Sequence, residues 1–419
     1  MELFVEFKRG STSDPFNMDG KVPFPKAFET TCASRGQMVL YATRLQMYQF
    51  RTFVFSVGIF GNVARLFRWD RSGAIVSAPI MYAEEGNREL SEFFYRLNLT
   101  DRAQRGWDPT VSDATSKEAE DFDQAIETVV GDGENKLFEN LLESVGDKAN
   151  YPRKKVDVLD PSGGQISYIV GRSMMYPKSP TGRCTRGFVA MDMKAKKLTF
   201  LKDSWRPDIA GVKSESHWYN MLKGARNIAA FSHGSDVGKV VVRKTRGMKN
   251  GIQPQRTLTQ KYAMKFSGIE NMMGYVHYRI VQCEFYVPLT MFRDSKHLTE
   301  IMYDVLLGKR RPSISLALPL IPFSVAIEDL LKKGILHRDI SINNIMITIF
   351  GRGRLIDFDL ARGVECSVAR RTIRTVCFRP FSPRQLRSTN KVLVNAIGHV
   401  AVHVHGLTLH PWKGPRTVR

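Results

Sequence analysis

The segment Ile335-Leu-His-Arg-Asp-Ile-Ser-Ile-Asn-Asn-Ile-Met-Ile347, followed by Arg354-Leu-Ile-Asp-Phe-Asp-Leu-Ala-Arg362, decides the fold. In the first stretch, H-R-D-x-x-x-x-N places Asp339 and Asn344 five residues apart on a loop between apolar runs. In the second, Asp357 follows a short hydrophobic strand, 18 residues beyond Asp339. Phosphoryl transfer to a hydroxyl needs a carboxylate to accept or orient the proton and oxygen ligands to hold Mg²⁺ against the phosphates. Asp339, Asn344 and Asp357 supply those groups in the order that this chemistry uses.

Upstream, Thr181-Gly-Arg-Cys-Thr-Arg-Gly-Phe-Val189 reproduces G-x-G-x-x-G-x-V, with Gly182, Gly187 and Val189 in place and Cys184 where the second glycine belongs. A Cβ at that position hinders the backbone amides from closing over phosphates, so Cys184 is expected to weaken nucleotide binding. The same residues also read as an ordinary β-hairpin. Fifteen residues past Gly187, Lys202 stands on the strand-like run Phe200-Leu-Lys-Asp-Ser-Trp205, where a phosphate-binding lysine belongs; a solvated strand edge is the alternative. Glu215 then opens a helical run with His217-Trp-Tyr-Asn-Met-Leu222 and is the candidate partner of Lys202, or else a plain exposed helix residue.

On these residues the chain resembles the fungal-type protein kinase family. The resemblance rests on Ser179-Pro-Thr-Gly-Arg-Cys-Thr-Arg-Gly-Phe188, Leu201-Lys-Asp-Ser-Trp-Arg206, His337-Arg-Asp-Ile-Ser341 and Ile356-Asp-Phe-Asp-Leu-Ala361. Arg51-Thr-Phe-Val-Phe-Ser-Val57 and Arg65-Leu-Phe-Arg-Trp-Asp-Arg-Ser-Gly73 look like that family's amino-terminal region, and the likeness spans roughly residues 20–371. It implies an α+β, two-lobed protein-kinase-like fold, ATP and Mg²⁺ as cofactors, and transfer of the γ-phosphate to a protein hydroxyl. By the same resemblance Asp339 is the catalytic base, Asn344 and Asp357 are metal ligands, Lys202 is the phosphate anchor paired with Glu215, and Gly182, Gly187 and Val189 line the nucleotide.

The chain departs from that pattern in several places. Asp359 replaces the glycine of D-F-G, and Asp-x-Asp also resembles small-molecule phosphotransferases related to protein kinases. Ser341 stands where serine/threonine kinases usually carry a lysine, which leaves the acceptor residue open. Residues 385–419 contain no acid, hold the alternation Gly398-His-Val-Ala-Val-His-Val-His405 and offer no amphipathic helix, so the C-lobe reads as truncated. Residues 309–323 likewise lack any acid and interrupt what is otherwise one helix from Lys296 through Asp304 to Ala326–Lys333. Both segments read as products of a misread splice or frame. A catalytically silent pseudokinase or binding module is therefore the rival reading, with a small-molecule phosphotransferase as a third.

A length of 419 residues gives room for two to three domains. We expect an N-terminal α/β domain over 1–150, a kinase domain over 151–371 with an insertion near 309–323, and an irregular basic tail over 372–419. Within the first, residues 51–82 read as an antiparallel meander punctuated by Gly61-Asn62 and Asp70-Arg-Ser-Gly73, flanked by helices at 29–49 and 88–99. Residues 100–150 read as a polar, acidic stretch with one helix at Lys136–Val145. Glu6 and Lys8 form an E-x-K, and Gln37 and Tyr41 a Q-x-x-x-Y on a helix; together these look like fragments of a PD-(D/E)-x-K nuclease core, in which the Glu binds a metal.

Charge is unevenly distributed: 17 basic and 23 acidic residues over 1–150, against 35 and 17 over 151–362 and 10 and one over 363–419. A basic surface favours phosphate-bearing partners, a nucleotide or a nucleic acid among them, without specifying which. Hydrophobic residues at 43% and charged ones at 25% exclude a chain disordered throughout or a collagen-like fibre. Five scattered cysteines without a C-x-x-C argue against a disulfide framework or zinc site. The start has no apolar signal segment, and the longest near-apolar run, Ile314–Ile327, is broken by Pro319 and Pro322, too short for the ~20 residues a spanning helix needs. The expectation is a soluble intracellular protein, cytoplasmic or nuclear.

Overall fold

The computed structural model describes residues 1–17, 26, 28–131, 145–160, 163–241, 251–266, 272–307 and 325–363. They form two compact units. The first holds the described residues of 1–132, 141–216 and 232–283, and the second those of 217–231 and 284–363.

In the first unit, β1 (Phe4–Lys8) leads through α1 (Glu29–Tyr48) to β2 (Val54–Phe60), and β1 and β2 run parallel. Parallel neighbours require such a crossover. One face of α1, Ser34, Met38, Ala42 and Gln46, is buried at a spacing of four, and Met38 and Ala42 join Phe16, Phe60, Phe67 and Trp69 in a core. The expected meander continues with β3 (Val63–Asp70) and β4 (Gly73–Val76), all antiparallel from β2 onward. Gly61 takes the positive φ of 63° that the two-residue β2–β3 turn demands. Buried charge is matched here: Arg65 Nε donates to both oxygens of Asp14, at 3.0 and 2.8 Å.

After α2 (Glu89–Leu99) the same unit builds a seven-stranded sheet. Its strands are β5 (Val111–Asp113), β6 (Lys154–Leu159), β7 (Gln165–Val170), β8 (Arg186–Asp192), β9 (Lys197–Pro207), β10 (Phe231–Asp236) and β13 (Tyr275–Gln282), in the order β10-β13-β9-β8-β7-β6-β5. A separate ribbon pairs β11 (Gly238–Val241) with β12 (Gly251–Pro254). Phe50, Val156, Val158, Tyr168, Val170, Phe188, Ala190, Leu201 and Val281 fill one core of this unit. Helices α3 (Ser116–Gly131) and α5 (Thr259–Phe266) belong to this unit, whereas α4 (Glu215–Met221) begins in it with Glu215 and Ser216 and continues from His217 in the second.

β5 and α3 stand where the sequence reading of residues 100–150, a polar, acidic stretch with one helix at Lys136–Val145, placed no element. Acidic composition masked α3, yet its start is signalled by a reciprocal capping box: Glu118 N donates to Thr115 Oγ1 at 3.2 Å and Thr115 N to Glu118 Oε2 at 2.9 Å. Phe122 and Ile126, four apart, are the buried stripe that fixes it. Of the helix expected at Lys136–Val145, all but Val145 lies outside the described residues.

The second unit comprises β14 (Val287–Pro288), α6 (Ser295–Met302) continuing into a wide turn at Tyr303–Leu307, α7 (Val325–Lys332), β15 (Ile335–Leu336), β16 (Ile345–Ile347), β17 (Gly353–Leu355) and β18 (Arg362–Gly363). Asp294 caps α6 by accepting from His297 N at 2.8 Å. Strands order as β14-β16-β17, with β15 paired to β18. Asp304 steadies β17, accepting from Arg352 Nε at 2.7 Å and Gly353 N at 3.0 Å. The expected insertion at 309–323 and the tail at 372–419, on which the reading of a truncated C-lobe rests, lie wholly outside the described residues. No helix of the described residues is long and apolar enough to cross a membrane.

Candidate active site

Lys202 lies in the middle of β9, between Gly187 of β8 and Ile280 of β13 in the sheet register. Its Nζ is 2.8 Å from Glu215 Oε2, the first residue of α4, with side chains 7% and 0% exposed. A solvated strand edge is thereby excluded, as is an exposed Glu215. At this depth a lysine is retained only with its charge matched.

The neighbouring residue, Asp203, faces the opposite side of the pleat. It is flanked in register by Arg186 and Arg279, and accepts from Arg186 Nη2 at 3.2 Å and Arg279 Nε at 2.8 Å, with His277 Nε2 at 3.1 Å. Arg279 also reaches Asp108 Oδ2 at 2.5 Å and Thr110 Oγ1 at 2.7 Å. Burial pushes the Asp203 carboxyl up, but His277, Arg186 and Arg279 outweigh it and hold the group well below the usual carboxylate range. The polar row behind Lys202 was not read from the sequence. Its only signal was the density of charged residues, Asp203, His277 and Arg279, in otherwise apolar strands.

Gly182 and Cys184 sit on the loop between β7 and β8, whereas Gly187 and Val189 lie on β8. Gly182 has φ 93° and Cys184 φ 44°, so the cysteine occupies the left-handed region that a glycine would fill without strain, at a cost of about 1–2 kcal/mol. Its side chain is buried, Sγ 3.4 Å from the carbonyls of Ser179 and Pro180. The thiol is thus turned inward, against the loop's own carbonyls. A Cβ on Gly187 would stand 2.6 Å from Phe200 Cζ, so packing inside the sheet demands glycine there.

In the second unit the H-R-D loop follows β15. His337 Nδ1 accepts from Asp339 N at 3.3 Å, which assigns the ring proton to Nε2, and Nε2 lies 2.9 Å from the carbonyl of Ile356. Asn344 Nδ2 donates to the Asp339 carbonyl at 2.8 Å and approaches Asp339 Oδ2 at 3.4 Å. Ile356 N donates to the Asn344 carbonyl at 2.9 Å, continuing the β16–β17 pairing of Ile345 with Leu355. The structure therefore brings Asp339 and Asn344 into direct contact and ties the backbone before Asp357 to Asn344. Arg338 at φ 68° and Asp357 at φ 67° both hold left-handed backbones, a strain that concentrates at functional sites.

Phe358, fully buried, packs edge-to-face on His337 with ring centroids 4.6 Å apart and on Tyr219 at 4.9 Å; Tyr219 stacks on Phe231 at 5.3 Å. This aromatic column links the H-R-D and D-F-D segments. It was missed in the sequence, although Tyr219 stands one helical turn after Glu215 on α4.

The nuclease-like fragments also come together in the first unit. Lys8 Nζ is 2.9 Å from Glu6 Oε1 and 2.7 Å from Gln37 Oε1, and Gln37 Nε2 donates to Tyr41 at 2.7 Å. The α1 crossover between parallel strands produces this arrangement. Lys8 is satisfied within it, and Glu6 is the one carboxylate of the four residues.

No curated protein matches the chain. Among solved structures, the ROP18 kinase domain in complex with AMP-PNP and sucrose aligns over 61% of this chain and 68% of its own length, at 12% identity and a TM-score of 0.31. A Toxoplasma gondii specific rhoptry antigen kinase domain aligns over 50% and 54%, at 10% identity and a TM-score of 0.28. The model of the fungal protein kinase family matches residues 29–312 and 323–382, passing over most of the segment read as an insertion, and the chain belongs to that family.

Proposed function

We propose that the chain is an ATP-dependent protein kinase in which Asp339 accepts the proton of a protein hydroxyl and Lys202, paired with Glu215, anchors the nucleotide phosphates. The observation that carries this reading is the buried Lys202–Glu215 pair at 2.8 Å. A buried ion pair adds little net stability over a packed apolar pair, so its presence on β9 is better explained by a ligand that needs the ammonium there.

Asn344 and Asp357 offer hard oxygen donors, which suit Mg²⁺. Asn344 spends its Nδ2 on Asp339, leaving Oδ1 to ligate. When bound, Mg²⁺ would neutralise charge on the phosphates. Asp339 is held for its task by two bonds to its own backbone, from N to His337 and from the carbonyl to Asn344. His337, itself wedged against Phe358, fixes the loop; Gly182 and Gly187 shape the strand-loop-strand that would cover the phosphates. The cytoplasmic or nuclear location expected from the sequence belongs to the same reading, and fractionation of the expressing cell tests it.

The deciding experiment measures Mg-ATP binding and phosphate transfer for the full chain and for Asp339→Asn. Nucleotide binding retained with transfer lost by about 10²–10⁴-fold in the variant supports the assignment. Neither binding nor transfer in the wild type would make the chain a silent module. Transfer to a small aminoglycoside- or choline-like alcohol but to no protein would move it to the small-molecule phosphotransferases.

A further inference from the structure

The β3–β4 turn of the N-terminal sheet reaches the glycine-rich loop within the first unit. Arg71, on that turn, accepts at its carbonyl from Gly182 N at 2.8 Å. Its guanidinium is 2% exposed; Nη1 bonds Gln46 Oε1 and lies 3.5 Å from the Pro180 carbonyl, and Nη2 donates to the Arg51 carbonyl at 3.1 Å. The guanidinium carbon is 5.7 Å from the centre of the Trp205 ring. These hydrogen-bond acceptors are all neutral, and Nε has no partner among the described residues. A fully buried arginine on such terms is costly to fold, and a leucine or methionine would fill the space more cheaply.

The turn is itself rigidly mounted. Asp70 Oδ2 accepts from the N–H groups of Leu258 and Thr259 at the start of α5, at 2.7 and 3.0 Å. Ser72 Oγ bonds Thr257 Oγ1 and the Met273 carbonyl, each at 2.7 Å. On its other side the loop is bound to the lysine strand, with Trp205 N donating to the Arg183 carbonyl at 2.8 Å. Gly182, Arg183 and Cys184 are thus clamped between the N-terminal turn and β9.

We propose that Arg71 is a positioning residue for the glycine-rich loop, holding Gly182 and Cys184 in their left-handed conformation so that the loop can receive a nucleoside triphosphate despite the missing second glycine. The inference rests on the nucleotide-binding reading above. It explains how a cysteine is tolerated where a glycine belongs: the N-terminal module supplies the restraint that keeps the strained residue in place and its side chain inward. It also gives that module a task in the kinase reaction.

Hydrogen exchange of the Gly182–Cys184 amides and titration with a fluorescent Mg-ATP analogue, on the full chain, test it. Arg71→Met keeps the volume and the main-chain carbonyl that accepts from Gly182, and removes the guanidinium contacts to Gln46, Pro180 and Arg51 that hold the turn in place; Gln46→Leu removes one partner and serves if Arg71→Met fails to fold. Either variant should speed exchange in the loop, weaken analogue affinity about tenfold, as expected for losing a restraint of this size, and raise KM for ATP while kcat stays constant. Adding Cys184→Gly to Arg71→Met should restore part of the affinity, because glycine adopts the conformation without help. A folded variant with wild-type loop exchange and wild-type affinity overturns the proposal. If the wild type binds no nucleotide, the kinase reading fails instead, and the exchange rates still decide whether Arg71 holds the loop.

Discussion

Gly187 lies directly opposite Lys202 in the antiparallel β8–β9 ladder. Two exacting positions of the first unit are therefore one residue pair, and each is fixed by a different force. Glycine is required by the ring of Phe200, which fills the space a Cβ would take; lysine is held by the carboxylate of Glu215. Asp203, facing the other way on β9, nails the same strand to its two neighbours through Arg186 and Arg279.

Gly187→Ala should be destabilising by about 1–3 kcal/mol, the range for overpacking a filled core, because the new methyl meets Phe200 at 2.6 Å. Chemical denaturation reads the loss. An unchanged midpoint would mean that Phe200 swings aside at no cost.

Lys202→Met and Glu215→Gln should each lower phosphate transfer by about 10²–10³-fold, the scale of removing one preorganised charge. Because the two side chains act as a unit, the double variant should lose little more than the worse single one. Additive losses in single-turnover assays would show that Glu215 does not work through Lys202.

Much of this was legible in the sequence. H-R-D-x-x-x-x-N, the strand-borne Lys202 and the helix-opening Glu215 are local patterns, and each falls on the kind of element expected of it. The meander at 54–76 was visible because turn residues punctuate alternating apolar runs. What escaped depends on distant pairing. Nothing near Asp203 predicts that Arg186, His277 and Arg279 converge on it, since register across three strands is a tertiary property. The Arg71–Gly182 bond spans more than a hundred residues for the same reason. α3 escapes on other grounds: its acidic composition hides the Thr115–Glu118 cap that announces it.

Phe358→Ala removes a fully buried ring from the column formed with His337 and Tyr219. A cost of about 3–5 kcal/mol is expected from the cavity, together with loss of transfer, as the D-F-D and H-R-D segments lose their common wall. Phe358→Leu should recover most of the stability. If transfer persists in a folded Phe358→Ala protein, the column is packing alone.

The buried carboxylates of the first unit set its acid stability. Burial raises the affinity of Asp203 and Asp108 for a proton, but Arg279 and His277 outweigh that for both, so each titrates below its unfolded value of 3.8. A depressed folded value means that the unfolded chain takes up protons first as pH falls. The stabilisation is then complete above about pH 5 and is lost progressively below about pH 4. Urea midpoints should be flat in this contribution from neutrality to about pH 5 and fall steeply beneath it. Asp203→Asn should cost about 3–5 kcal/mol at neutral pH, since it leaves Arg186 without a buried counter-charge and Arg279 with Asp108 alone, and should flatten the acid limb. An acid limb as steep in Asp203→Asn as in the wild type would place the titrating groups elsewhere in the chain.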